Sequence, residues 1–132
     1  DIGGRNVALV TGSEQQRVAA FYRAVDRLRT GGFVIAALDP GQAERRIAAP
    51  FFGGTIHLAA GLFAIARIAK VPIVPMAARW IGDEIEIIVG DPLPVSSDEN
   101  AMAAAAAQWL EQYLRDSPGE LSGRILELMH HD

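Results

Sequence analysis

The residues best suited to chemistry lie between Asp39 and Arg79. Phe51 and Phe52 lead directly into Gly53-Gly54-Thr55, where the pattern predicts that a helix begins. A turn with two glycines at a helix start leaves backbone N–H groups free and admits a ligand closely, so it can hold an anion. Arg45 and Arg46 stand just upstream of that turn, and two readings are open for them: an anion clamp, or a solvated cationic pair. Asp39 follows an apolar run and precedes Pro40-Gly41. A carboxylate at a strand's C-terminal end is where α/β proteins place chemistry, and Asp also suits a turn before Pro-Gly. An ordinary βαβ turn followed by a buried helix is the plainer reading of Pro50–Arg79.

Other chemistries lack their residues. The chain holds three histidines and no cysteine, which removes disulfides, thiolate catalysis and cysteine-ligated zinc. His57 falls in the first turn of the predicted helix, where a lone imidazole serves as a cap or a hydrogen-bonding neighbour. His130 and His131 precede the last residue, a poor place to preorganise a base or a metal. Metal-ligand spacing, a phosphate loop, a Gly-x-Ser-x-Gly elbow and a dinucleotide fingerprint are all missing.

The elements that must position these residues read as an alternation of strands and helices. Asn6–Val10 is a short apolar run that predicts a buried strand. Ser13 with Gln16 fits a capping box, and Val18, Phe21, Tyr22, Val25 and Leu28 recur at helical spacing until Gly31-Gly32. Phe33–Leu38 predicts a second buried strand. A helix is expected from about Thr55 to Lys70, apolar on nearly every face until Arg67, followed by a strand over Pro72–Trp80. Glu84–Val89 should pair with it around Gly82-Asp83 as a hairpin toward the sheet edge. Ser96 with Glu99 is a second capping box for a helix to about Arg115, and Glu120–His131 predicts a last helix. This order predicts one α/β domain over residues 1–132, with a mostly parallel central sheet, flanking helices and an antiparallel strand toward one side.

Half of the residues are hydrophobic (50%) and 21% are charged, an ordinary globular balance with room for a core. A net charge of −4 with no Lys or Arg run gives no footprint for a nucleic-acid partner. The longest apolar run, Leu58–Ala66, falls far short of the ~20 residues of a membrane-spanning helix, and the composition is that of a soluble chain. Asp1-Ile2-Gly3-Gly4 has neither a basic region nor an apolar core, and the abrupt entry into a strand predicts a piece of a longer or processed protein.

In order and spacing, Leu28–Leu38, Asp39, Phe51-Phe52-Gly53, Gly61–Ala69, Pro72-Ile73-Val74-Pro75 and Arg79 resemble the lipid A biosynthesis acyltransferases, within the lysophospholipid acyltransferase superfamily. Trp109-Leu110-Glu111, Tyr113-Leu114-Arg115 and Pro118-Gly119-Glu120 resemble that family's C-terminal end. Met129-His130-His131-Asp132 departs from it, lacking the usual aromatic and basic residues. The resemblance implies transfer of a fatty acyl group from acyl carrier protein or a coenzyme A thioester to a lipid hydroxyl, with no further cofactor, at the cytoplasmic face of a bacterial inner membrane. A histidine in a His-x-x-x-x-Asp/Glu motif would deprotonate the hydroxyl as it attacks, and hydrogen-bond donors would hold the oxyanion.

That motif is absent: five residues after His57 stands Leu62. The expectation is therefore a C-terminal part of an acyltransferase-like protein that holds substrate-binding elements without a catalytic residue of its own. Arg46, Phe51, Phe52, Gly53, Gly54, Thr55 and Arg79 are the expected substrate-binding residues, with the turn and Arg46 taking a phosphate or pantetheine group. The expected partners are the acyl thioester, a lipid acceptor and, through the parent protein, the membrane surface; an exposed sheet edge would favour a dimer. The alternatives are a non-catalytic module that binds an anion or acyl ligand, and a scaffold that only pairs with a partner.

Overall fold

A computed structural model of the chain describes residues 14–39, 41, 45–120, 125 and 129. The chain divides into two compact units, Asp1–Ala36 and Ala37–Asp132.

In the first unit, α1 spans Glu14–Arg29, where helical spacing places it. Ala20, Ala24 and Val25 are buried, four positions and then one apart on one face, while Val18 and Tyr22 of the predicted stripe lie in the open. Gly31 stops the helix at φ +87°, a left-handed conformation that glycine adopts without a Cβ penalty. The Gly31 and Gly32 N–H groups then donate to the Leu28 and Arg27 carbonyls at 3.2 and 2.9 Å. No strand follows. Residues 33–38 form no ladder, and Phe33, Val34 and Ile35 are exposed, contrary to the buried strand expected there. The strand expected at Asn6–Val10 and the Ser13 cap lie outside the described residues.

The second unit is built on two hairpins and two helices. β1 (Arg46–Phe51) and β2 (Gly54–Ala59) pair antiparallel, with Ile47 opposite Leu58 and Ala49 opposite Ile56. α2 (Gly61–Ala69) follows after Ala60. β3 (Met76–Ile81) and β4 (Glu84–Val89) form the second hairpin, and α3 (Glu99–Asp116) leads into a single 3-10 turn, Pro118–Glu120. Most of the terminal helix expected at Glu120–His131 lies outside the described residues, although Ile125 and Met129 are helical and pack on the core.

The expected mostly parallel sheet is therefore corrected: the described residues hold two separate two-stranded antiparallel sheets, and no strand pairs parallel. The cause is local. A helix is expected from Thr55, whereas Phe52-Gly53 turns the chain back on itself and Gly54–Ala59 continue as strand; α2 begins only at Gly61. Alternation decides the outcome. Ile47, Ala49 and Phe51 point to one face of β1, and Ile56 and Leu58 point to the same face of β2.

That face is the floor of the core. α3 lies against β1, and α2 packs on α3. Met102, Ala103, Ala106, Ala107 and Leu114 form the buried stripe of α3, and its alanines let the helix approach the sheet closely. Phe51, Phe63, Ile56 and Leu58 are the largest side chains wholly removed from water. Asp98 caps α3, its carboxylate accepting the Asn100 N–H at 2.9 Å, while Ser96 accepts the Asp98 N–H at 3.0 Å. The cap thus falls two residues past the predicted Ser96. Glu99 turns to Arg45 and Arg67, at 3.1 and 3.0 Å, and ties β1's leading edge, α2 and α3 together.

Candidate functional site: the Phe52-Gly53 turn

Two residues link β1 to β2, and both have left-handed backbone: Phe52 at φ 49° and Gly53 at φ 76°. This is the pattern of a type I′ turn, whose twist matches that of the flanking strands. A Cβ on Gly53 would meet nothing within 4 Å, so conformation and not space calls for glycine there. Phe52 is the anomaly, because a bulky side chain at positive φ costs on the order of 1–2 kcal/mol. Contacts from α3 offset that cost. The Phe52 N–H donates to the Glu111 carboxylate, a charge-assisted bond. The other oxygen of Glu111 accepts from Arg115 at 3.3 Å, and the Arg115 guanidinium stands 5.2 Å above the Phe52 ring. Phe51 meets the same ring edge-on at 4.8 Å.

The turn thus differs from the anion cradle expected at a helix start. It joins two strands, and a carboxylate of the chain's own α3 takes the Phe52 N–H that would greet a ligand. A phosphate arriving there would meet Glu111 and a cation already paired to it.

The seven expected binding residues do not converge. Arg46 opens β1 while Phe51 closes it, and five steps of strand separate them by roughly 16 Å. Arg46 donates to the Gly41 carbonyl at 3.0 Å, so it serves its own loop and not the turn. Phe51 is wholly buried in the core, whereas Phe52, Gly53 and Gly54 are exposed and Thr55 is half-buried opposite Pro50. Arg79 lies on the other hairpin, bound to Glu86 across the strands at 2.7 Å and to the Ser117 hydroxyl at 2.8 Å. Neighbouring Arg45 is held by Glu99.

His57 lies on β2 opposite Ala48, not in a helix, and its Nε2 is buried without a hydrogen-bond partner. Asp39 closes a local turn by accepting the Gly41 N–H at 2.8 Å. Among the described residues no three His, Asp or Glu side chains gather as a metal site would require. Nor is any helix of the described residues long and apolar enough to cross a membrane.

Sequence reasoning missed Glu111 and Arg115 as the groups that close the turn, and Glu99 as the hub of two ion pairs. Glu111 and Arg115 stand four apart on one helix face, a visible pairing signal, but nothing in the sequence links them to a turn 59 residues away.

No family model matches the chain, and no curated protein matches it.

Proposed function

We propose that the chain is a non-catalytic part of an acyltransferase-like protein, an interaction module that carries the family's Phe-Phe-Gly and Pro-x-x-Pro stretches but not its base. One observation supports the non-catalytic half of this reading above all: among the described residues no acid orients the His57 imidazole at Nε2. General-base attack of a lipid hydroxyl on a thioester needs a histidine within hydrogen-bond reach of the acceptor and a second group that fixes its tautomer. His57 Nε2 is buried without a partner, and its neighbour across the strands is Ala48. Two candidate oxyanion donors are also engaged, the Phe52 N–H with Glu111 and Arg79 with Glu86 and Ser117. The acyltransferase half rests on the resemblance of residues 28–79 and 109–120. In a protein that contains this chain and transfers an acyl group from acyl carrier protein or coenzyme A to a lipid, the base would come from other residues.

The test is an acyl-transfer assay of the purified 132-residue chain with a long-chain acyl thioester and a lipid hydroxyl acceptor. The expected result is no turnover above the thioester's own hydrolysis. Turnover that disappears in His57→Ala would overturn the reading.

A further inference from the structure

The hairpin of β3 and β4 is amphipathic in the inverted sense. Met76, Ala78 and Trp80 share one face with their partners Val89, Ile87 and Ile85. All six are exposed; Trp80 is 70% open to water, Ile87 61%, Val89 60%, Ile85 56% and Met76 53%. The opposite face carries the charges. There Arg79 bridges to Glu86 at 2.7 Å and reaches Ser117 beyond the end of α3, while Ala77 and Ile88 are half-buried. A hairpin on a solvated surface ordinarily turns its polar residues outward. This one turns its ion pair toward its own chain and its tryptophan and isoleucines away from it.

From this we infer that the outward face of β3–β4 is the interface of a homodimer, two copies packing these faces together about a two-fold axis. Area supports a second copy. The large side chains of the face expose roughly 500 Å² together, so face-to-face packing removes about 1,000 Å² from water in total, which reaches the lower bound of a specific interface. Self-complementarity supports it too, because an isologous contact brings one patch against itself, and an uncharged apolar face meets its copy with no like charges opposed. Charge disfavours an anionic membrane as the occupant: the chain carries −4 overall, and Asp83 and Glu84 stand at the hairpin tip beside the face. The face, not a sheet edge, is thus the contact, and the inference is independent of the acyl-transfer reading.

Sedimentation velocity of the full chain from about 1 to 100 μM, spanning a micromolar Kd, tests it. The expected species has twice the 14.1 kDa chain mass, and Trp80 and Trp109 are the only tryptophans, so Trp109→Phe isolates a Trp80 emission that blue-shifts as the dimer forms. Ile87→Lys should dissociate the dimer at least tenfold more readily while leaving the circular dichroism unchanged, because that side chain touches no core. Arg23→Ala, on the exposed side of α1, should leave the dimer as it is. A monomer throughout the range, a dimer untouched by both Ile87→Lys and Trp80→Lys, or a monomer that sediments with phosphatidylglycerol vesicles would each overturn the inference.

Discussion

Removing the Glu111 carboxylate should loosen the β1–β2 turn more than an ordinary surface substitution does. Glu111 accepts the Phe52 N–H, a bond to a charged acceptor that contributes on the order of 1.5–3 kcal/mol. Its side chain is 25% exposed, so the lower end of that range applies. Loss of the Arg115 pair adds about 0.3–0.5 kcal/mol, and alanine's better helix propensity returns a similar amount. Glu111→Ala should therefore cost about 1–2 kcal/mol. Scaled to a chain of this length, that is a fall in Tm of roughly 4–10 °C. Glu111→Gln keeps an acceptor but not the charge and should lose about half as much. Urea unfolding at constant m gives the free energies, and amide exchange at Phe52 gives the local reading, with its protection lost in the alanine variant. If Glu111→Ala unfolds within about 0.5 kcal/mol of the parent, the carboxylate does not hold the turn.

Two further substitutions probe how the second unit is packed. A Cβ on Gly90 would lie 2.3 Å from Trp109 Nε1 and 2.9 Å from Pro75 Cγ, so Gly90→Ala should force the indole off Tyr113, on which it stacks at 5.7 Å. The expected cost is about 1–3 kcal/mol by denaturant unfolding, together with a change in near-ultraviolet circular dichroism. Phe63→Ala removes a wholly buried ring between α2 and the core and should cost about 3–5 kcal/mol in the same assay, while Phe33→Ala, at an exposed ring, should stay within about 0.5 kcal/mol.

Where local chemistry and tertiary packing agree, the sequence could be read directly. α1 was legible from its periodicity and its Gly31 stop, and the β3–β4 hairpin from Gly82-Asp83 between two β-rich runs. Gly82 takes φ 60° at the first turn position, where a two-residue hairpin wants glycine. α3 was legible too, apart from a cap shifted from Ser96 to Asp98. The β1–β2 hairpin was not, for three physical reasons. Its alternation runs largely through alanine, which marks neither face strongly. Pro50 argues against a strand, yet β1 belongs to a two-stranded sheet and can spare an N–H on its open side. Phe52 occupies the left-handed position where Asn or Gly is the usual signal. The anion cradle is expected from a helix start at that turn, and the fold puts a strand-to-strand turn there instead.

The candidate site was half legible. The residue types were there, but a strand length separates Arg46 from the turn, and each arginine of the set finds its partner within the chain. Arg46, Arg79 and the Phe52 N–H, which look like ligand binders, are engaged in holding the fold. A titration of the ¹⁵N-labelled chain with inorganic phosphate, followed to about 10 mM by amide shifts, tests it most directly. The expected result is no saturable movement of the Phe52, Gly53, Gly54 and Thr55 amides. Saturable shifts at those amides that vanish in Arg46→Ala would contradict it.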